Sequence, residues 1–180
     1  LQHFYYKVHL VPFGEYLPLR DWLANVLDFL PVPQADFSAG DPRQPLLTAA
    51  GYPVGSSICY EIAFGEQLIG ALPEAAFLIN VSNDAWFGDS LAPHQHLAIA
   101  RMRALENERW LLRSTNTGIS AIIDQEGNVV GTVAAFERGL FSHEIQPRSG
   151  ATPFSTIGNG PAVALAAILL LLAAFRRRQG

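Results

Sequence analysis

The chain has 180 residues, enough for one domain with a sizeable core or for part of a larger one. Only 16% of its residues are charged, and the formal net charge is −4, with three of the twelve basic residues gathered at Arg176, Arg177 and Arg178. Nine basic residues against sixteen acidic ones precede that cluster, which excludes nucleic acid as a partner because phosphates require a basic face.

In chain order, residues 4–12 (FYYKVHLVP) are aromatic and β-branched and predict a strand carrying Lys7. Asp21 to Leu30 has helical apolar spacing, with Trp22, Leu23, Val26, Leu27 and Leu30 on one side. Trp22, Leu23, Val26, Leu27 and Phe29 make either a mobile, lipid-touching lid beside the Pro-rich stretch or ordinary core packing. Pro31 to Pro45 predicts an irregular surface loop. Val54 to Cys59 predicts a buried strand, Ile62 to Leu72 a helix, and Ala76 to Val81 a central strand. Gln95 to Arg113 predicts the clearest helix, with Arg101, Arg103, Glu106, Arg109 and Arg113 as a solvated, salt-bridged face. Asn116-Thr117-Gly118 then reads as a helix stop. Ile119–Asp124 and Val129–Val133 flank Gln125-Glu126-Gly127-Asn128, a hairpin signal, and Leu140 to Ile145 predicts a last strand. Strands alternating with helices predict a mixed α/β layered domain.

Between Ser149 and Phe175 there is no charged residue, and Pro161 to Phe175 has no polar side chain. Extended back to Phe154, the run has 22 residues and spans about 33 Å, against about 30 Å of bilayer hydrocarbon. A core helix rarely ends in three arginines, so a membrane-spanning helix is expected, with its basic flank in the cytoplasm and the α/β domain on the other side. The start at Leu1 shows neither an initiating Met nor a signal-peptide pattern, and the expectation is a piece of a longer protein.

Cys59 is the sole cysteine, so no disulfide can form within the chain. A thiol at a strand–helix junction lies where N–H groups and the helix dipole stabilise a thiolate and an oxyanion. Taken alone, Cys59-Tyr60-Glu61 is better read as a buried structural cysteine with Glu61 and Lys7 as unrelated surface charges. His94-Gln95-His96 could suggest a metal, but positions two apart do not share a helix face, and polar helix-start residues explain them.

Lys7-Val8-His9-Leu10-Val11-Pro12-Phe13-Gly14-Glu15, with Cys59-Tyr60-Glu61 following 52 residues after Lys7, resembles the nitrilase (carbon-nitrogen hydrolase) superfamily. Asn83-Asp84-Ala85-Trp86-Phe87-Gly88, His94-Gln95-His96-Leu97, Arg101-Met102-Arg103-Ala104-Leu105-Glu106, Arg113-Ser114-Thr115-Asn116-Thr117-Gly118 and Gly158-Asn159-Gly160-Pro161 resemble its apolipoprotein N-acyltransferase family. The resemblance implies part of an α-β-β-α sandwich over residues 1–150, a transmembrane helix with its linker over 151–175, and a cytoplasmic tail over 176–180.

It also implies roles. Cys59 matches the acylated nucleophile, Lys7 the lysine that stabilises the tetrahedral intermediate, and Glu15 an assisting glutamate. Tyr60 and Glu61 match the pair that shapes and supports the site, and Trp86 and Phe87 a loop beside the acyl-chain entrance. The implied partners are a phospholipid acyl donor, a lipid-modified apolipoprotein acceptor and the membrane; no metal or organic cofactor is implied. The family's general-base glutamate precedes the lysine on an earlier strand, and LQHFYY has no carboxylate. Residues 1–180 alone are therefore expected not to turn over. The alternatives are an amide- or nitrile-hydrolysing enzyme of the same superfamily and a non-catalytic membrane-anchored relative.

Overall fold

A computed structural model describes residues 4–18 and 37–179, with side chains through Arg177. The helix expected over 21–30, and with it the lid or core role of Trp22, Leu23, Val26, Leu27 and Phe29, lies outside the described residues. Among the described residues, six strands form one sheet in chain order: β1 (Leu47–Ala49), β2 (Tyr52–Ile58), β3 (Phe77–Ser82), β4 (Leu111–Thr115), β5 (Ser120–Ile123) and β6 (Val129–Val133). β2, β3 and β4 run parallel, while β1–β2, β4–β5 and β5–β6 pair antiparallel. The helices are α1 (Gly65–Ile69), α2 (Ala92–Asn107), α3 (Pro153–Ile157) and α4 (Gly160–Gln179).

Alternation along the strands sends side chains to opposite faces. Leu78, Leu111, Ala121 and Ile123 join Ile62, Leu68, Ala100 and Ala104 in the main core under the helices. Phe77 joins Val54 and Ala76 on the other face, where Ile79, Trp110, Leu112 and Ile145 pack against them. The described residues thus form a mixed α/β sheet with helices layered on one face, as the alternation of strands and helices predicts. α2 buries Pro93, His96, Ala100, Ala104 and Asn107, a stripe at three- and four-residue spacing whose small residues bring the helix close to the sheet.

The helix expected over 95–113 is corrected at both ends. It begins at Ala92 and stops at Asn107, where Glu108 turns left-handed (φ 48°) and its N–H donates back to Ala104 and Leu105. The reversal makes 111–115 a strand, so Asn116-Thr117-Gly118 is the β4–β5 turn, not a helix stop. It also overturns the solvated reading of two arginines. Arg109 is buried and donates to the carbonyls of Ala75, Pro73 and Gly150, tying the end of α2 to the segment before the apolar tail. Arg113 is buried as well.

Three further expectations change. Residues 4–12 form no strand; Pro12 makes an isolated bridge with Tyr16, and the backbone donors of this segment go to side chains instead. Residues 140–145 are irregular, with Leu140 fully in solvent. The helix expected over 62–72 is a 3-10 turn over Cys59–Ala63 followed by the five residues of α1. The β5–β6 hairpin forms as expected, with Gly127 at φ 80°.

In the tail, Gly158 (φ 56°) separates α3 from α4, so the apolar helix does not reach back to Phe154. It instead runs on through the arginines: α4 has 20 residues and is about 30 Å long. Within it, Gly160–Arg177 is long and apolar enough to cross a membrane, and none of it is buried against the domain.

Candidate active site

Cys59 stands at the corner where β2 passes into the 3-10 turn, at φ 52°. A side-chain-bearing residue there costs about 1–3 kcal/mol and persists only when its surroundings over-determine it. Such strain collects at functional sites. The thiol is part-exposed and points toward the Asn83 carbonyl, 4.0 Å away at the end of β3. The turn that follows is short and broken at Phe64, so the helix dipole expected from the sequence is small at this cysteine.

Glu61 explains why the two sequence segments belong together. Its fully buried carboxylate accepts from Ile58 N–H (2.7 Å), just before Cys59, and from Val8 and His9 N–H, just after Lys7. The Tyr5 hydroxyl adds a fourth hydrogen bond at 3.1 Å. Burial, the Glu61 charge and this hydrogen bond together push the Tyr5 phenol well above its ordinary range. Glu61 is therefore a clamp that joins residues 5–9 to the Cys59 corner.

Lys7 and Glu15 form an ion pair, with Nζ 2.6 Å from both carboxylate oxygens. Glu15 also accepts from Val11 N–H at 2.8 Å, which fixes the Pro12-Phe13-Gly14 turn around the pair. Tyr60 packs edge-on against Phe64, which in turn stacks on His9. Trp86 and Phe87 lie on a 3-10 turn after β3; Trp86 is 69% exposed and Phe87 meets the His96 ring edge-on. Among the described residues, no cluster of three or more His, Cys, Asp or Glu could hold a metal ion.

The sequence reading passed over a buried polar network beneath Cys59. Asp84, His96 and Arg113 meet here, from the β3 loop, α2 and β4. Arg113 Nη2 lies 2.8 Å from Asp84 Oδ2 and 3.0 Å from His96 Nδ1, and Asp84 Oδ1 lies 3.1 Å from that same nitrogen. Arg113 also bonds Asn80 Oδ1, and Asn80 donates to the Ser57 hydroxyl at 3.0 Å. His96 Nε2 is 3.2 Å from the Cys59 carbonyl.

Burial alone would raise the Asp84 carboxyl, but hydrogen bonds from His96 and Ser82 and the Arg113 charge outweigh it and hold the carboxyl below its ordinary value. Burial lowers the Arg113 guanidinium, against the raising effect of Asp84. Gly118 is needed for this packing: a Cβ there would sit 2.1 Å from Asp84 Oδ2. The one local signal for the network was Arg113 at an alternating position of an apolar strand pattern, and the helical spacing that ran through it hid that pattern.

Cys59 thus stands at a strained corner of a mixed α/β layer, and Glu61 joins that corner to the segment that carries the Lys7–Glu15 pair. The carbon-nitrogen hydrolase family model matches residues 2–154, and the chain belongs to that family.

Over 175 residues the chain is 55% identical to the apolipoprotein N-acyltransferase of Methylococcus capsulatus, covering 97% of this chain and 35% of that protein. The apolipoprotein N-acyltransferases of Nitrosomonas europaea and Pseudomonas aeruginosa are 49% and 42% identical, again over 97% of this chain and 36% and 34% of theirs. The chain thus spans about a third of the length of the curated relatives it matches.

Among solved structures, the C. elegans NitFhit protein matches with a TM-score of 0.55 at 21% identity, over 73% of this chain and 31% of that one. A carbon-nitrogen hydrolase from Helicobacter pylori matches with a TM-score of 0.50 at 17% identity, over 57% and 43%. At these identities the likeness concerns the fold alone.

Proposed function

We propose that this chain carries part of the catalytic domain and one membrane anchor of an N-acyltransferase. The observation that carries the reading is the near-full-length identity to proteins named apolipoprotein N-acyltransferase, up to 55% over 97% of the chain. The membrane helix fits that reading, since an enzyme joining two lipid-borne substrates must work at the bilayer. Amide hydrolysis by a soluble family member gives no reason for an apolar, unburied α4.

In the proposed reaction the Cys59 thiol gives up its proton as its sulfur attacks the ester carbonyl of a phospholipid; the acyl–oxygen bond breaks and that proton passes to the leaving oxygen, giving a thioester and a lysophospholipid. The amine of a diacylglyceryl-modified N-terminal cysteine on an apolipoprotein then attacks the thioester. Its N–H proton leaves, an amide forms, and the thiol is regenerated. Lys7 stabilises the negative charge on each tetrahedral intermediate, and Glu15, within 2.6 Å, holds its ammonium in place. Tyr60 and Glu61 support the corner, while exposed Trp86 and Phe87 border the path of the acyl chain. No metal or organic cofactor takes part in this scheme. Residues 1–150 form the domain portion, 151–175 the linker and span, and 176–180 a basic tail on the cytoplasmic side.

The test is covalent. Full-length enzyme incubated with phospholipid should form a hydroxylamine-sensitive acyl adduct, which then passes to a diacylated peptide. Cys59→Ala should form none, and Cys59→Ser should lose nearly all turnover because a serine hydroxyl ionises far less readily. An adduct that survives in Cys59→Ala sinks the proposal.

A further inference from the structure

Cys59 keeps its left-handed φ of 52° because neighbours grip the chain just before it and at its own carbonyl. On the upstream side, Glu61 accepts from the Ile58 N–H and the Asn80 amide donates to the Ser57 hydroxyl. On Cys59 itself, the His96 ring reaches the backbone carbonyl at 3.2 Å. A carbonyl only accepts, so this contact requires the proton on Nε2. Both states that have it fit the surroundings. With Nδ1 bare, Arg113 Nη2 donates to it at 3.0 Å; with Nδ1 protonated, it donates to Asp84 Oδ1 at 3.1 Å. The ring is thus held at both nitrogens and along its edge, where Phe87 packs at 90° with centroids 6.0 Å apart.

Simple core filling does not explain this arrangement. A buried histidine needs one partner for each nitrogen, whereas His96 has a carboxylate and a guanidinium converging on Nδ1 while Nε2 is aimed at the one backbone carbonyl of the strained corner. Arg113 ties the same ring to Asn80 and so to Ser57, two residues before the cysteine. Sheet, helix and corner therefore meet at one imidazole.

We propose that His96 is a positioning residue for the nucleophile: its Nε2–H, oriented by Asp84 and Arg113, holds the Cys59 carbonyl and keeps the thiol in its reactive position. The proposal rests on Cys59 being the acylated residue. Without the hydrogen bond the corner relaxes toward an ordinary φ and the sulfur shifts; a displacement of about 1 Å costs on the order of a hundredfold in rate. Leucine at position 96 keeps an apolar neighbour for Phe87, which the ring meets edge-on, so binding along the acyl-chain path is expected to change little.

Glutamine and leucine at position 96 separate positioning from stability. A glutamine amide can place a donor near the Nε2 position, and leucine cannot. In the full-length protein in detergent, His96→Leu is expected to lower kcat about 10- to 100-fold with KM within about twofold. His96→Gln should recover kcat to within about tenfold of wild type even where its Tm falls as far as that of the leucine variant. Equal kcat losses in the two variants, or wild-type kcat in His96→Leu, would overturn the proposal. If His96→Leu does not fold, His96→Gln decides alone: a kcat loss beyond about tenfold at unchanged Tm overturns the assignment, and a smaller one supports it. Cys59→Ala, run in parallel, keeps the two readings apart, since an acyl adduct there removes the nucleophile itself and not only the role of His96.

Discussion

Glu61 is surrounded by four donors, three of them backbone N–H groups, and has no exposure to solvent. A carboxylate suits that place because it accepts on both oxygens and donates nothing. Glu61→Gln keeps the shape but turns one oxygen into an NH2 group that faces donors. Each buried donor left unpaired costs about 1–3 kcal/mol. The expected outcome is a lower Tm together with a loss of acyl transfer, since Lys7 is attached to the corner through Val8 and His9. A thermal melt and a transfer assay on the same preparation check this; an unchanged Tm would mean that the clamp carries no stability. Lys7 and Cys59 were legible as chemistry-bearing residues because lysine, cysteine and glutamate stand in a specific motif. The use made of Glu61 was not, because its partners are backbone groups 52 and 53 residues away.

Among the elements, α2 and α4 show opposite relations between pattern and outcome. For α2, apolar spacing continued past the true end, since Leu105 and Leu112 extend a helical period that the left-handed Glu108 interrupts. No glycine marks that stop, so local sequence carried no sign of it. For α4 the composition sufficed: a run of apolar residues followed by arginines has few ways to satisfy its backbone other than a helix in lipid. The arginines also set its expected direction. Basic flanks resist translocation, so a reporter enzyme fused after Gly180 should be active only in the cytoplasm. Activity of a periplasm-specific reporter at that position would reject the orientation.

For the molecule as a whole, Asp84 connects the site to stability. Its carboxyl ionises more readily in the folded protein than the ordinary value of 3.8, because His96, Ser82 and Arg113 more than offset its burial. A carboxyl with a lowered folded value adds stability in full above its unfolded value, and that stability is lost as pH falls through the folded value. Below about pH 4, therefore, the domain should lose stability steeply. Asp84→Asn should remove part of that slope, so the Tm gap between wild type and variant shrinks on acidification. Melts from about pH 6 down to about pH 2 test this, and a gap constant across the series would show that Asp84 is not the group responsible.

By itself the sequence determined what depends on neighbours along the chain: the β5–β6 hairpin at Gly127, the apolar strand over Phe77–Ser82, the tail helix, and the motif that marks Cys59 and Lys7. Period, turn chemistry and composition are local, and they survive whatever the rest of the chain does. Tertiary structure decided where the polar side chains went. Arg109 and Arg113 look like surface charges in any linear reading, and they became buried ties because the end of α2 turned the chain back into the sheet. Residues 57, 80 and 113 come from three strands, 96 from a helix and 84 from the loop after β3, so no spacing announces that they meet. Their convergence beneath Cys59 follows from the parallel pairing of β2, β3 and β4 under α2, which only the folded chain brings about.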